Sequence, residues 1–191
     1  MNRERMEKME ILLRRIAPQV IPCPRSMILD ALQTIAVEFF RETEVWEAVF
    51  QDVIGACETI FTPMLPKECA LVNVKLLSLN GEDVNGFSCG TRNIVLNEPP
   101  RENSLVIAKC SLRPLRTATT LPEDLIEEHG DTLAFGAIAK LKAMSGQNVE
   151  WSDQQGASVN YQLYQDGSVK AKSRKYRKRL GGGVLYVNSG E

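Results

Sequence analysis

Residues 70–84 read ALVNVKLLSLNGEDV, and this run decides whether the chain is a plain helical bundle or one that also carries a sheet. Val72, Val74 and Leu76 alternate onto one face of an extended strand. Leu77 and Leu79 fall on the opposite face, and Asn80-Gly81 follows as a two-residue hairpin turn. A period near two predicts strand, and the same signal continues on both sides. VWEAVFQDVI (45–54) and ETIFTPML (58–65) are weaker strand candidates. NIVLNEPPRENSLVIAKCSL (93–112) reads as two short strands joined by a polar, proline-bearing loop. A small antiparallel β subdomain is therefore expected over residues 45–117.

Outside that region the period is helical. Met6, Met9, Leu13 and Ile16 recur at helical spacing and predict a helix over 4–17, ended by Pro18. The linker APQVIPCP (17–24) holds three prolines and excludes helix interior. A stronger helix is expected over 24–43, where Met27, Ile28, Ala31, Leu32, Ile35, Ala36, Phe39 and Phe40 form a wide apolar stripe. Thr120 to Glu123 has capping-box spacing and opens a helix as far as Met144, followed by Gly146. Ser152 to Gln155 has the same spacing and opens a last helix. Gly156 and Gly167 weaken that helix, and its apolar residues Val159, Leu163 and Val169 are sparse, so neighbours must stabilise it. The expected fold is α+β, mainly α. It is a bundle of about four helices, with N-terminal helices over 1–44, the β insertion over 45–117 and C-terminal helices over 118–180. An extended arm over 181–191 follows.

Composition excludes several classes. At 191 residues and 43% hydrophobic the chain can build one ordinary core. No stretch approaches the ~20 apolar residues of a membrane span, and residues 1–18 are too charged for a signal peptide. Cys23, Cys57, Cys69, Cys89 and Cys110 are widely spaced, odd in number and lack a CxxC pair. That pattern fits reduced thiols rather than a disulfide scaffold or zinc site. The lone histidine, His129, has Glu127, Glu128 and Asp131 on its own helix and reads as a helix-face side chain, not a triad member or metal ligand. Gly181-Gly182-Gly183 lacks the GK[ST] ending of a phosphate loop and precedes a strand-like run. Glu123-Asp124 and Glu127-Glu128 suit the positive end of a helix dipole. No enzyme activity, cofactor or metal is expected.

The strong signal lies at 170–191, KAKSRKYRKRLGGGVLYVNSGE. Lys170, Lys172, Arg174, Lys175, Arg177, Lys178 and Arg179 form an acid-free run containing the aromatic Tyr176. Without these seven of its 23 basic residues the chain keeps 16 against 24 acids, a balance of −8 hidden beneath a net charge of −1. An acidic body with a basic tail suits contact with a different surface. Gly181, Gly182 and Gly183 supply a hinge, and Val184, Leu185, Tyr186 and Val187 are suited to joining an exposed sheet edge. A basic helix on duplex DNA is the alternative use, since phosphate attraction needs no aromatics.

The segment IAPQVIPCPRSMILDALQTIAVEFFRETEVW (16–46) resembles the N-terminal part of the tailed-bacteriophage head-to-tail adaptor (connector) proteins. The likeness rests on Ile16, Pro18, Val20, Pro22, Cys23, Pro24, Ala31, Leu32, Ala36, Glu38, Phe39 and Trp46. SLRPLRTATTLPEDLIEEHGDTLAFGAIAKLKAMSGQNVEW (111–151) is similar to a later helix of that family through Arg113-Pro114, Leu121-Pro122, Leu125, His129, Gly136-Ala137, Leu141, Met144 and Trp151. Tyr161 and Tyr164 give a third, looser match. Pro22 stands where the family usually has glycine, and the middle of the chain diverges. The resemblance implies a ring of about twelve copies under the portal at the capsid vertex. Such a ring lengthens the channel for genomic double-stranded DNA and docks tail or neck proteins. It implies a virion protein assembled in the host cytoplasm, with no catalytic residues to carry over.

Overall fold

A computed structural model of the chain describes residues 6–146 and 149–181, with side chains as far as residue 175. The elements run β1 (Met6–Lys8), α1 (Leu13–Ile16), α2 (Arg25–Thr43), β2 (Glu47–Ile54), β3 (Ile60–Phe61), β4 (Cys69–Leu79), β5 (Glu82–Asp83) and β6 (Phe87–Cys89). They continue with β7 (Ile94–Leu96), β8 (Ser104–Pro114), β9 (Thr120–Pro122), α3 (Glu123–Lys142) and α4 (Gln154–Gly181).

The apolar stripe of α2 forms as its period predicts. Ile28, Ala31, Leu32, Ile35, Ala36, Phe39 and Phe40 are all buried. Glu44 ends the helix at φ 51°, and its N–H donates to the Phe40 carbonyl at 3.0 Å. This left-handed cap closes the last turn without a glycine. Phe40 then meets the buried Trp46 edge-on, ring centroids 5.9 Å apart, where the chain turns into the sheet.

Four strands form the main antiparallel sheet in the order β2-β8-β4-β5. Val106, Ala108, Cys110 and Leu112 of β8, with Leu71, Val74 and Leu77 of β4, form its buried face and share one hydrophobic cluster with the α2 stripe. A second sheet has the order β3-β7-β6, and β1 pairs with β9 as a third.

The expectation of a mainly helical bundle with a small β insert is overturned. Strand makes up 27% and helix 43%, and the three antiparallel sheets give a mixed α and β fold. The largest difference is β8, which runs 11 residues where a short strand is expected. Lys109 interrupts its apolar run in sequence, yet on a pleated strand it faces away from the core while Ala108 and Cys110 face in.

The faces assigned to β4 also need correction. Its register against β8 shifts between Leu71 and Asn73 and again between Val74 and Leu76. Two bulges therefore replace strict alternation with a spacing of three, so Leu71, Val74 and Leu77 point inward and Leu76 is 45% exposed. The turn is as read: Asn80 and Gly81 take φ of 50° and 90°, and Leu79 pairs with Glu82 across it.

The first helix is shorter than its pattern suggests. Met6–Lys8 is extended and pairs with Thr120–Pro122, Met9–Leu12 is a 3-10 turn, and α1 keeps one α turn. The same pairing draws Thr120 into β9, so the capping box before α3 does not form and Pro122 stands at the cap. At α4 the cap is Asp153 rather than Ser152: Gly156 N–H donates to its Oδ1 at 2.8 Å.

Candidate interaction surfaces

The sequence places its candidate site on the last helix, so the packing of α4 determines what that site can touch. Lys142 Nζ meets Asp153 Oδ2 at 3.0 Å, and Asp153 N–H donates to the Lys142 carbonyl at 2.9 Å. These contacts close the turn between α3 and α4. The Gly156 N–H and the Lys142 charge hold the Asp153 carboxyl below its ordinary range.

The buried face of α4 is Ala157, Tyr164, Ser168 and Ala171. Spacings of seven, four and three keep these residues on one side of the helix. Val159, Leu163 and Val169, the apolar residues singled out in sequence, are exposed instead. Small residues win because the helices lie close. A Cβ on Gly136 of α3 would stand 2.6 Å from Ile35 Cγ2 and 2.8 Å from the Tyr164 ring. The same closeness leaves an apolar groove of about 380 Å³ beside Ile35, Gly136, Ala139, Ala157, Tyr161 and Tyr164.

The basic run begins on this helix. Lys170 is exposed and Lys172 half-buried. Arg174 faces Glu128 of α3, 3.6 Å from its carboxylate. Lys175 turns inward: its Nζ lies 3.2 Å from Glu47 Oε1 and 3.6 Å from Glu44 Oε2, and it donates to the Glu44 backbone carbonyl. Lys109 reaches the other Glu47 oxygen at 2.9 Å. Lys75 pairs with Glu44, whose carboxylate also accepts from Asn73 at 3.3 Å. This network joins the end of α2, strands β2, β4 and β8, and the distal part of α4.

Burial pushes the Glu47 carboxyl up, but the hydrogen bonds and charges of Lys109 and Lys175 outweigh it and leave the group below its ordinary range. Neither the pattern around Glu44 and Glu47 nor their charge in sequence marked them. The only hint was a position just after the α2 stripe, where the chain enters the sheet.

The backbone of Tyr176, Arg177, Lys178, Arg179 and Gly181 continues α4. Gly182, Gly183, Val184, Leu185, Tyr186 and Val187 lie outside the described residues.

Beside the Lys175 anchor stands an open sheet edge. Among the described residues β2 pairs with β8 alone, so alternate backbone groups along its other side are open, except that the Val53 N–H donates to Asp52 Oδ1 at 2.8 Å. On the outward face Val49 and Val53 are 64% and 62% exposed, next to the exposed Leu105 of β8. Leu76 of β4 is exposed on the same face, but Lys109 of β8, the register partner of both, stands between it and Val49.

His129 is buried rather than presented. Its ring packs 5.2 Å from that of Phe39, and its Nε2 lies 3.9 Å from Glu128. No group of three or more metal-ligating side chains occurs among the described residues. No described helix is long and apolar enough to cross a membrane. Compared with protein-family models and with curated proteins, the chain matches none.

Proposed function

We propose that this chain is a structural head-to-tail connector of a tailed-phage virion. Copies form a ring under the portal, extend the channel through which double-stranded DNA passes, and present a docking surface to tail or neck proteins. The observation that carries the reading is the placement of α4. Lys175 fixes the distal helix to the body at Glu44 and Glu47, so the arm that follows starts from a defined point beside an open sheet edge. A ring subunit needs such an extension to grip neighbours and a second, different ring. Repetition around the ring turns many weak contacts into high avidity.

The ordered likeness of residues 16–46 and 111–151 to connector proteins supports the same reading. Several residues of that likeness hold the core here: Ile16, Val20, Ala31, Leu32, Ala36, Phe39, Trp46, Ala137 and Leu141 are buried. The acidic balance of the body suits a channel wall that does not hold DNA phosphates. In the assembled ring, body carboxylates face the lumen, and the remaining basic side chains of 170–179 face the portal or an acidic partner.

The alternative, an accessory protein gripping duplex DNA with the basic helix, is weaker. Two cations of the run, Arg174 and Lys175, already face carboxylates of the same chain. A chain lacking residues 181–191 tests the reading by pull-down on the portal ring of the same phage. The expected outcome is a folded protein that no longer joins the portal; retention on the ring would overturn the docking role of the arm.

A further inference from the structure

We infer that neighbouring copies of this chain meet head to tail, the exposed face of α4 in one copy packing on the outward face of the main sheet in the next. The inference rests on the ring reading above and specifies which surfaces join its subunits.

Two uncovered faces of complementary chemistry lead to it. On β8, Ala108 and Cys110 point into the core, so Leu105, Ile107 and Lys109 point out. In β2, Val53 stands opposite Leu105 and Val49 opposite Lys109; in β4, Leu76 stands opposite Lys109. Val49, Val53, Leu76 and Leu105 are all exposed. The solvated face of an antiparallel sheet is ordinarily polar, whereas this one sets apolar side chains on both sides of Lys109.

On α4, Val159, Leu163 and Asp166 follow one another at spacings of four and three, on the side away from the buried Ala157, Tyr164, Ser168 and Ala171. All three are exposed, and Asp166 has no ion-pair partner among the described residues. The sheet carries the opposite imbalance. Lys75, Lys109 and Lys175 share the two carboxylates of Glu44 and Glu47, which leaves one positive charge over. Lys109 is the most exposed of the three, at 40% against 16% and 13%. An apolar face with a spare carboxylate therefore matches an apolar face with a spare ammonium.

The dimensions agree. Val159 to Asp166 spans about 10.5 Å along a helix axis, and Leu105 to Lys109 about 13 Å along a strand. A helix laid along β8 with Asp166 over Lys109 sets Leu163 above Ile107 and Val159 toward Leu105. Lys170, one turn further, falls at the row where Glu47 pairs with Ser111.

One chain cannot bring its own two faces together. α2 shares a core with the inner side of the sheet, and α4 packs on α2 and α3 through Tyr164, whose ring lies 6.5 Å from that of Phe39. Both uncovered faces point away from that common core. Two different, mutually complementary patches on one chain make a heterologous contact, the kind whose repetition closes a ring.

Complementation between two variants of the full chain tests this by native mass spectrometry, alone and on the portal ring of the same phage. Asp166→Lys spoils the helix face and sets a cation against Lys109. Val49→Asp spoils the sheet face and sets an acid against Asp166. Both positions are solvent-exposed, and circular dichroism checks that each variant keeps the fold. Each variant alone is expected to lose self-association by about tenfold or more. Mixed, with one of them isotope-labelled, they are expected to form a species containing both chains, because each supplies the face that the other lacks. The inference is overturned if either folded variant alone self-associates as fully as the natural chain, or if the mixed species is absent. A natural chain that self-associates neither alone nor on the portal overturns it too. Variants that still form full rings on the portal remove this inference and leave the connector reading standing. The mixed species without portal binding by the natural chain does the reverse.

Discussion

Lys175 of α4 places its Nζ 3.2 Å from Glu47 Oε1 of β2, and this contact converts part of an apparently solvated basic run into an anchor. Both side chains are largely shielded, at 13% and 22% exposure. Hydrogen bonds to charged groups in such settings contribute about 1.5–3 kcal/mol.

Replacing Lys175 with Met removes the ammonium and leaves Glu44 and Glu47 short of a partner. The expected effect is a loss of about 1.5–3 kcal/mol in urea unfolding. Faster amide exchange is expected in the distal part of α4, with α2 unaffected. An unchanged exchange pattern would show that the contact does not hold the helix end.

The same network sets a pH dependence. Glu47 has a folded-state pKa below its ordinary value of 4.5. Its stabilisation is therefore fully present above the unfolded value and is lost as pH falls through the folded one. Glu47→Gln should be less stable than the natural chain at neutral pH, and the gap should shrink as pH falls below the ordinary value of 4.5 and through the lower folded one. Paired urea titrations across that range measure it.

Gly136 is required by the close approach of three helices. Gly136→Val brings branched carbon into Ile35 and Tyr164, which already stand 2.6 and 2.8 Å from the site of a Cβ. Overpacking of this kind costs about 1–3 kcal/mol. Thermal unfolding should show the loss, and near-ultraviolet circular dichroism should show a displaced tyrosine.

Thiol labelling reads the core directly. Cys110 is buried in β8, and burial, with a smaller contribution from nearby Cys89, pushes its pKa up to about 12. Cys69 is also buried. Cys57 and Cys89 are exposed, although partial burial raises the Cys89 thiol. A thiol reagent at pH 8 should modify Cys57 first and Cys89 more slowly. Cys69 and Cys110 should react only on unfolding.

Legibility in the sequence followed the number of residues that carried each signal. The α2 stripe spans 19 residues with one period and was readable from end to end. The Asn80-Gly81 turn was readable from two residues because their backbone demand is specific. The segment before Pro18 misleads because Met9 and Ile16 serve a helix-like pattern, whereas a partner 116 positions away, Pro122, pairs with Met6 as a strand. Non-local pairing overrides local period and leaves no mark nearby. The bulges in β4 are hidden for the same reason. At the candidate site, the run 170–179 was visible as charge, but the acids that anchor Lys175 lie on other elements and become neighbours only in the fold.

The central claim is that subunits of this kind are completed by one another and by the portal. It is tested most directly by the mass of the purified protein, alone and after mixing with the portal ring of the same phage, measured by native mass spectrometry. The account predicts a complex whose mass equals the portal plus a closed ring of many copies of this chain. Separate portal and monomer peaks, with the monomer binding duplex DNA tightly and with a steep salt dependence, would contradict it.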